Sequence, residues 1–107
     1  MKMAEMKNYN EDNFREVEWE EGVAVVRFHA PWCPPCRASA DIFEAFAAEL
    51  DDSVRVGKVN TDTAPALAVR YEIWGLPTVI MFRDGQEVKR INGVKSLSAY
   101  QKAFEKV

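Results

Sequence analysis

Apolar and polar positions along this chain follow two different periods, and the switches between them mark out nine elements. Val23-Ala24-Val25-Val26-Arg27-Phe28 is a β-branched, nearly unbroken apolar run, as expected of a strand covered on both faces. After Cys36 the period changes. Ile42, Phe43, Phe46, Ala47 and Leu50 recur at spacings of three and four, the stripe of an amphipathic helix running to about Leu50. Asp51-Asp52-Ser53 turns the chain into a strand over 54–60. Thr63 is placed to cap a short helix with Pro65 near its start and its end near Tyr71. A loop over 73–77 leads into the strand Thr78-Val79-Ile80-Met81-Phe82. Asp84-Gly85 is a hairpin signal, and 87–91 is the return strand, broken by Gly93. Ser96 caps a last helix with Leu97, Tyr100 and Phe104 on one stripe. Upstream, a weak alternation over 2–7 predicts an edge strand. Asn10 then caps a helix over 11–19 that turns Phe14, Val17 and Trp19 inward and ends at Glu21-Gly22.

The order is therefore βαβαβαββα. The unit over 23–60 implies two parallel strands with a right-handed crossover, and the 78–91 hairpin must be antiparallel. These constraints predict the α/β class: a central mixed five-stranded sheet flanked by four helices, as a single domain over 1–107. At 107 residues there is room for one sizeable core. With 48% hydrophobic and 29% charged residues, the composition excludes a disordered chain and a dense disulfide scaffold. Twelve of the 17 acids fall in residues 1–53, but they are interspersed with apolar residues and read as solvated surface. No compact Lys/Arg cluster with interleaved aromatics points to nucleic acid. No apolar run approaches the 18 or so residues of a membrane span. The segment MKMAEMKNYN lacks the apolar centre of a secretory signal, so a cytoplasmic location is expected.

The candidate chemistry lies in Pro31-Trp32-Cys33-Pro34-Pro35-Cys36, at the carboxyl end of a central strand, where open α/β sheets place their sites. Cys33 and Cys36 are the only cysteines. A disulfide closing so short a loop removes little chain entropy, so a purely structural bridge explains them poorly. A zinc site would need four ligands, and His29 supplies only a third, so no metal is assigned. Redox chemistry remains. Cys33 stands at a helix start, where unpaired N–H groups favour a thiolate, and Cys36 lies one turn on. The expected sequence is attack by an exposed Cys33 on a partner disulfide, then release of the mixed disulfide by a more shielded Cys36. Pro34 and Pro35 remove two first-turn donors. The helix should then begin at or after Pro35, with the Cys36 N–H as the main donor to the Cys33 sulfur.

Val25-Val26-x-Phe28, Ala30-x-Trp32-Cys33-x-Pro35-Cys36, Lys58-Val59-Asn60-x-Asp62, Gly75-x-Pro77-Thr78, Phe82-x-x-Gly85 and Gly93 stand in the order and at the spacing of the thioredoxin pattern. The chain resembles that family over about residues 8–107. The resemblance implies the thioredoxin fold and a cis-proline at Pro77 facing the disulfide. It also implies docking of an extended substrate segment along the backbone of Leu76. Trp32, Trp74, Gly75, Leu76, Pro77 and Gly93 are the expected substrate-binding rim, although Trp74 replaces a smaller or polar residue and could equally be packing. Three departures are visible. Arg27 stands where relatives carry a buried aspartate that handles protons, Pro34-Pro35 replaces Gly-Pro, and Asp41 replaces a helix-kinking proline. Arg27, Lys58, Asp41, Pro34 and Pro35 are accordingly the residues expected to tune the thiols, with an Arg27–Asp41 ion pair or an Arg27 that snorkels to solvent.

The expected activity is reduction of protein disulfides by a monomeric thiol–disulfide oxidoreductase with no bound cofactor. Its partners would be disulfide-bearing client proteins and an upstream reductase, not nucleic acid or membrane. Two alternatives stand beside it: a disulfide oxidant or isomerase, and a non-enzymatic binding module on the same fold.

Overall fold

The computed structural model describes residues 6–107. Its elements are β1 (Lys7–Tyr9), α1 (Arg15–Glu18), β2 (Val23–His29), α2 (Pro34–Ala48), β3 (Arg55–Asn60), α3 (Pro65–Arg70), β4 (Thr78–Arg83), β5 (Gln86–Asn92) and α4 (Leu97–Phe104). The five strands form one sheet in the order β1-β3-β2-β4-β5. β3 runs parallel to β1 and β2, while β4 is antiparallel to β2 and β5.

Side chains alternate across a strand, so β2 serves two cores. Ala24, Val26 and Phe28 pack with Phe14, Val17, Leu67, Ile80 and Phe82, on the side that also takes residues of α1 and α3. Val25 packs with Phe43, Phe46, Val79, Met81 and Tyr100, on the side of α2 and α4. Aromatic contacts run through both layers: Phe14 meets Tyr9, Tyr71 and Phe82 edge to face, and Tyr100 meets Phe43 edge to face and stacks on Phe46. The same alternation puts Arg27 and His29 in Val25's row. Register sets Lys58 of β3 directly beside Arg27. Three cationic or titratable side chains thus reach the α2 side of the sheet beyond the end of its apolar rows.

The hairpin forms as expected. Asp84 and Gly85 both have positive φ, 52° and 82°, in a two-residue turn between Arg83 and Gln86, a conformation that glycine adopts without strain. Asp84 Oδ1 also accepts the Gly22 N–H at 2.7 Å, tying the turn to the start of β2. Ser96 caps α4 through the Ala99 N–H.

Four local expectations are corrected. The edge strand is Lys7–Tyr9 rather than 2–7, and residues 2–5 of that expectation lie outside the described residues. The first helix is only Arg15–Glu18. Asn10 instead closes a turn before it, its Oδ1 accepting the Asp12 and Asn13 N–H groups. Trp19 is exposed rather than core: at the C-cap it lies two residues past the inward Val17, which puts it on the opposite side of the helix. Finally, Thr63 does not cap α3. Its hydroxyl donates back to Asn60 O, and the Ala66 N–H is taken by Glu11, 55 residues away. A remote carboxylate does what a local hydroxyl was expected to do.

Candidate active site

Cys33 is the N-cap of α2, with φ −87° and ψ 107°. That extended geometry is what a residue before proline prefers. The helix begins at Pro34, one residue earlier than expected, because prolines at the first two helical positions lose only N–H groups that have no intrahelical partner anyway. The first useful donor is then Cys36, whose N–H points to the Cys33 sulfur at 3.2 Å. Cys33 and Cys36 are joined as a disulfide with their Cα atoms 5.2 Å apart. The bond spans less than one helical turn, so it can open and close without rebuilding the backbone.

The sequence suggests an exposed Cys33 and a shielded Cys36. The structure corrects this: both are nearly covered, at 4% and 3% exposure. The two cysteines form a small buried cluster with Ala30, and Leu76 packs against it. What distinguishes the two is the hollow each one borders. Cys33 lines a groove of about 450 Å³ with Trp32, Ile73, Trp74, Gly75 and Leu76. Cys36 lines a separate cleft of about 300 Å³ on the other side, with Arg27, His29 and Lys58.

The groove gathers part of the expected rim. Trp32 and Trp74 are 64% and 89% exposed, so neither is core packing. Trp32 is held in place by an Nε1–H bond to Asp62 Oδ1 at 3.0 Å, and Asp62 is itself presented by an Asn60 turn at the end of β3. Asp62 was visible in the motif, but nothing local hinted that it would orient a tryptophan 30 residues away. Ile73, Thr61 and Ala68, also in the groove, gave no signal in the sequence. Pro77 and Gly93 do not line it. The Leu76–Pro77 peptide is cis, and Gly93, with φ 81°, donates its N–H to Pro77 O at 2.8 Å. The loop is pinned from below by the Thr78 hydroxyl donating to Gly75 O at 2.7 Å.

On the other side, Arg27 is only 6% exposed. Its Nη2 donates to Cys36 O at 2.5 Å, and its guanidinium carbon lies 5.9 Å from the centre of the Phe43 ring. Neither expectation for Arg27 holds. It does not snorkel to solvent, and it does not pair with Asp41. The inward residues of α2 are Cys36, Ser39, Phe43, Phe46 and Ala47, and Asp41 falls on the opposite, exposed side of the helix. Burial, not a partner, is the main influence on Arg27 and lowers its pKa, although a guanidinium stays charged.

His29 has a buried Nε2 with no hydrogen-bond partner. Desolvation first, then the charges of Arg27 and Lys58, push its pKa below the ordinary 6.5. In acid the unfolded chain therefore binds a proton that the folded chain refuses. Stability is expected to fall as pH drops from about 6.5 towards the lower folded value. Denaturant midpoints at pH 7.5 and 5.5 check this: wild type should lose more stability over that interval than His29→Phe. Equal losses would show that His29 is not the group responsible.

A pair of sulfurs closed at a helix start, on the carboxyl end of a central strand, with an aromatic groove beside the first of them, defines a thiol–disulfide oxidoreductase by class. Comparison with known proteins makes the assignment specific. A family model described as Thioredoxin matches residues 5–106, and the chain belongs to the thioredoxin family. It is 36% identical over 103 residues to a chloroplastic M-type thioredoxin of Spinacia oleracea, covering 95% of this chain and 57% of that one. It is 42% identical over 81 residues to thioredoxin 1 of Synechococcus elongatus, covering 75% and 76%. Against the thioredoxin of Chlamydia caviae it is 43% identical over 74 residues, covering 69% and 72%. The chain thus spans little more than half the length of the spinach relative. Among the described residues, no helix is long and apolar enough to cross a membrane, and no three His, Cys, Asp or Glu side chains cluster as metal ligands would.

Proposed function

We propose that this protein reduces disulfides in client proteins, with Cys33 as the attacking thiolate and Cys36 as the residue that releases the mixed disulfide. The observation that carries this is the groove: Cys33 alone of the two borders it, between two exposed tryptophans. An extended client segment would lie along Leu76, in the manner of an added strand, with its disulfide over Cys33. Pro77 and Gly93 would support that segment from the loop below rather than from the groove wall. Reduction of Cys33–Cys36 itself then falls to an upstream reductase. The protein would act as a monomer without a resident cofactor, in a reducing compartment such as the cytoplasm. The chloroplastic designation belongs to the M-type relatives.

One observation favours the opposite direction of transfer. Arg27 puts a cation against Cys36, which stabilises a thiolate and so the reduced form. A measured reduction potential decides between reductant and oxidant.

The groove is tested by comparing a protein substrate, such as insulin disulfides, with a small aromatic disulfide. Trp74→Ala and Leu76→Asp should each slow reduction of the protein substrate about tenfold, the ordinary effect of losing one anchoring contact. Reduction of the small disulfide should change less than about twofold, since it needs little of the groove. Equal losses on both substrates would mean that the groove is not a docking surface.

A further inference from the structure

The cleft behind the disulfide has an unusual charge balance. Arg27 and His29 reach it from β2, Lys58 from β3 and Arg37 from α2, and Glu44 is the one acidic residue on its wall. Arg27 is nine-tenths buried, yet among the described residues it makes no ion pair. Its guanidinium donates instead to a neutral carbonyl, Cys36 O. Lys58 likewise takes part in none of the ion pairs of the described residues. Arg37 is held at the rim by Nη1 donating to Pro31 O at 2.7 Å. A buried guanidinium without a counter-ion is costly, and a cluster of cations around a small hollow is an arrangement that an anion relieves. The planar N–H fork of arginine also matches two oxygens of a tetrahedral oxyanion. The cleft, at about 300 Å³, is larger than such an ion needs, and His29 also lines it.

We propose that this cleft binds a free inorganic oxyanion of the sulfate or phosphate class, held by Arg27, Lys58 and Arg37 beside Cys36. Nothing in the exchange reaction requires it, since the client groove lies on the other side of the disulfide. The site has a consequence for that reaction, and this part alone rests on the redox reading above. An anion next to Cys36 disfavours a thiolate there, so it binds the disulfide form more tightly than the reduced form. By linkage, the anion then stabilises the disulfide and makes the protein more reducing.

The experiment is a titration of the oxidised protein with sodium sulfate, and separately with sodium phosphate. Ionic strength is held constant with chloride, and the readout is the nuclear magnetic resonance signals of His29 and the arginine side chains. Saturable shifts at His29 and Arg27 are expected. Arg27→Met should weaken binding at least tenfold and Lys58→Gln severalfold, while Glu44→Gln should tighten it. Shifts that do not saturate, that chloride reproduces, or that persist unchanged in Lys58→Gln overturn the site; the last comparison decides even if Arg27→Met fails to fold. In the second measurement, the reduction potential of wild type should become more negative with sulfate, by about 30 mV for a tenfold preference between the two forms. A potential indifferent to sulfate, with binding intact, overturns the linkage and leaves the site standing.

Discussion

Cys33→Ser is expected to abolish disulfide reduction, whereas Cys36→Ser should carry out the first half of the reaction and stop. Both sulfurs are almost equally covered in the bridged state, so exposure does not choose between them. Two other features do. The Cys33 sulfur already accepts the Cys36 N–H at 3.2 Å at the start of α2, where the helix dipole favours negative charge. It also borders the groove where a client disulfide can approach. Cys36, one turn in, faces the cationic cleft instead. In the proposed reaction, a thiolate at Cys33 attacks one client sulfur and displaces the other as a thiolate. The Cys36 thiol then loses its proton, attacks Cys33 and frees the second client sulfur. Both client sulfurs leave reduced, and the pair is left oxidised. Losing the nucleophile should cost at least about a thousandfold in rate, in line with other enzymes deprived of theirs. Losing Cys36 should leave covalent adducts that mass spectrometry detects and a thiol reductant dissolves. Faster labelling of Cys36 than of Cys33 by iodoacetamide in the reduced protein would reverse the assignment.

The second large effect is expected at Arg27. Its guanidinium is buried and bonded to Cys36 O, with no carboxylate of the described residues paired to it. A cation at that place favours the thiolate and hence the dithiol form. At about 7 Å and an effective dielectric near 20, the interaction is at most about 2 kcal/mol. Screening by mobile ions reduces it further. Because 1.4 kcal/mol corresponds to about 30 mV for a two-electron couple, a shift of a few tens of millivolts is the upper expectation. Titrated in buffer free of sulfate and phosphate, the thiols should ionise at higher pH in Arg27→Ala and higher still in Arg27→Asp. The reduction potential should become more negative in the same order. A flat series would show that the charge at position 27 has no hold on the dithiol.

Much of this protein could be read before folding was considered. The run Val23 to Phe28 is a central strand because an almost unbroken apolar segment can be satisfied only where both faces are covered. Asp84-Gly85 is a tight turn because few other pairs tolerate positive φ twice in succession. Ser96 caps α4 because its partner, the Ala99 N–H, is three residues away. The Cys36 N–H reaches the Cys33 sulfur for the same reason: spacing along one helix turn is local geometry. Membership of the thioredoxin family rests on just such short-range motifs, set at fixed distances along the chain.

Other features were decided only by the assembled fold. Thr63 lost its expected role to Glu11, and Trp32 found Asp62, in both cases because a distant segment arrived with a better-placed acceptor. Arg27 was expected to find Asp41 because the two are near in topology. The phase of α2 turns Asp41 outward, and the Cys36 carbonyl takes the guanidinium instead. The two cysteines look different in the chain and are equally covered in three dimensions, because burial is a property of what packs above them. The sequence by itself determined the main periods, the hairpin turn, the Ser96 cap and the reactive pair, all set by interactions within a few residues. The tertiary structure decided which hollow each sulfur borders and which charges have no partner, since both depend on where three separate elements meet.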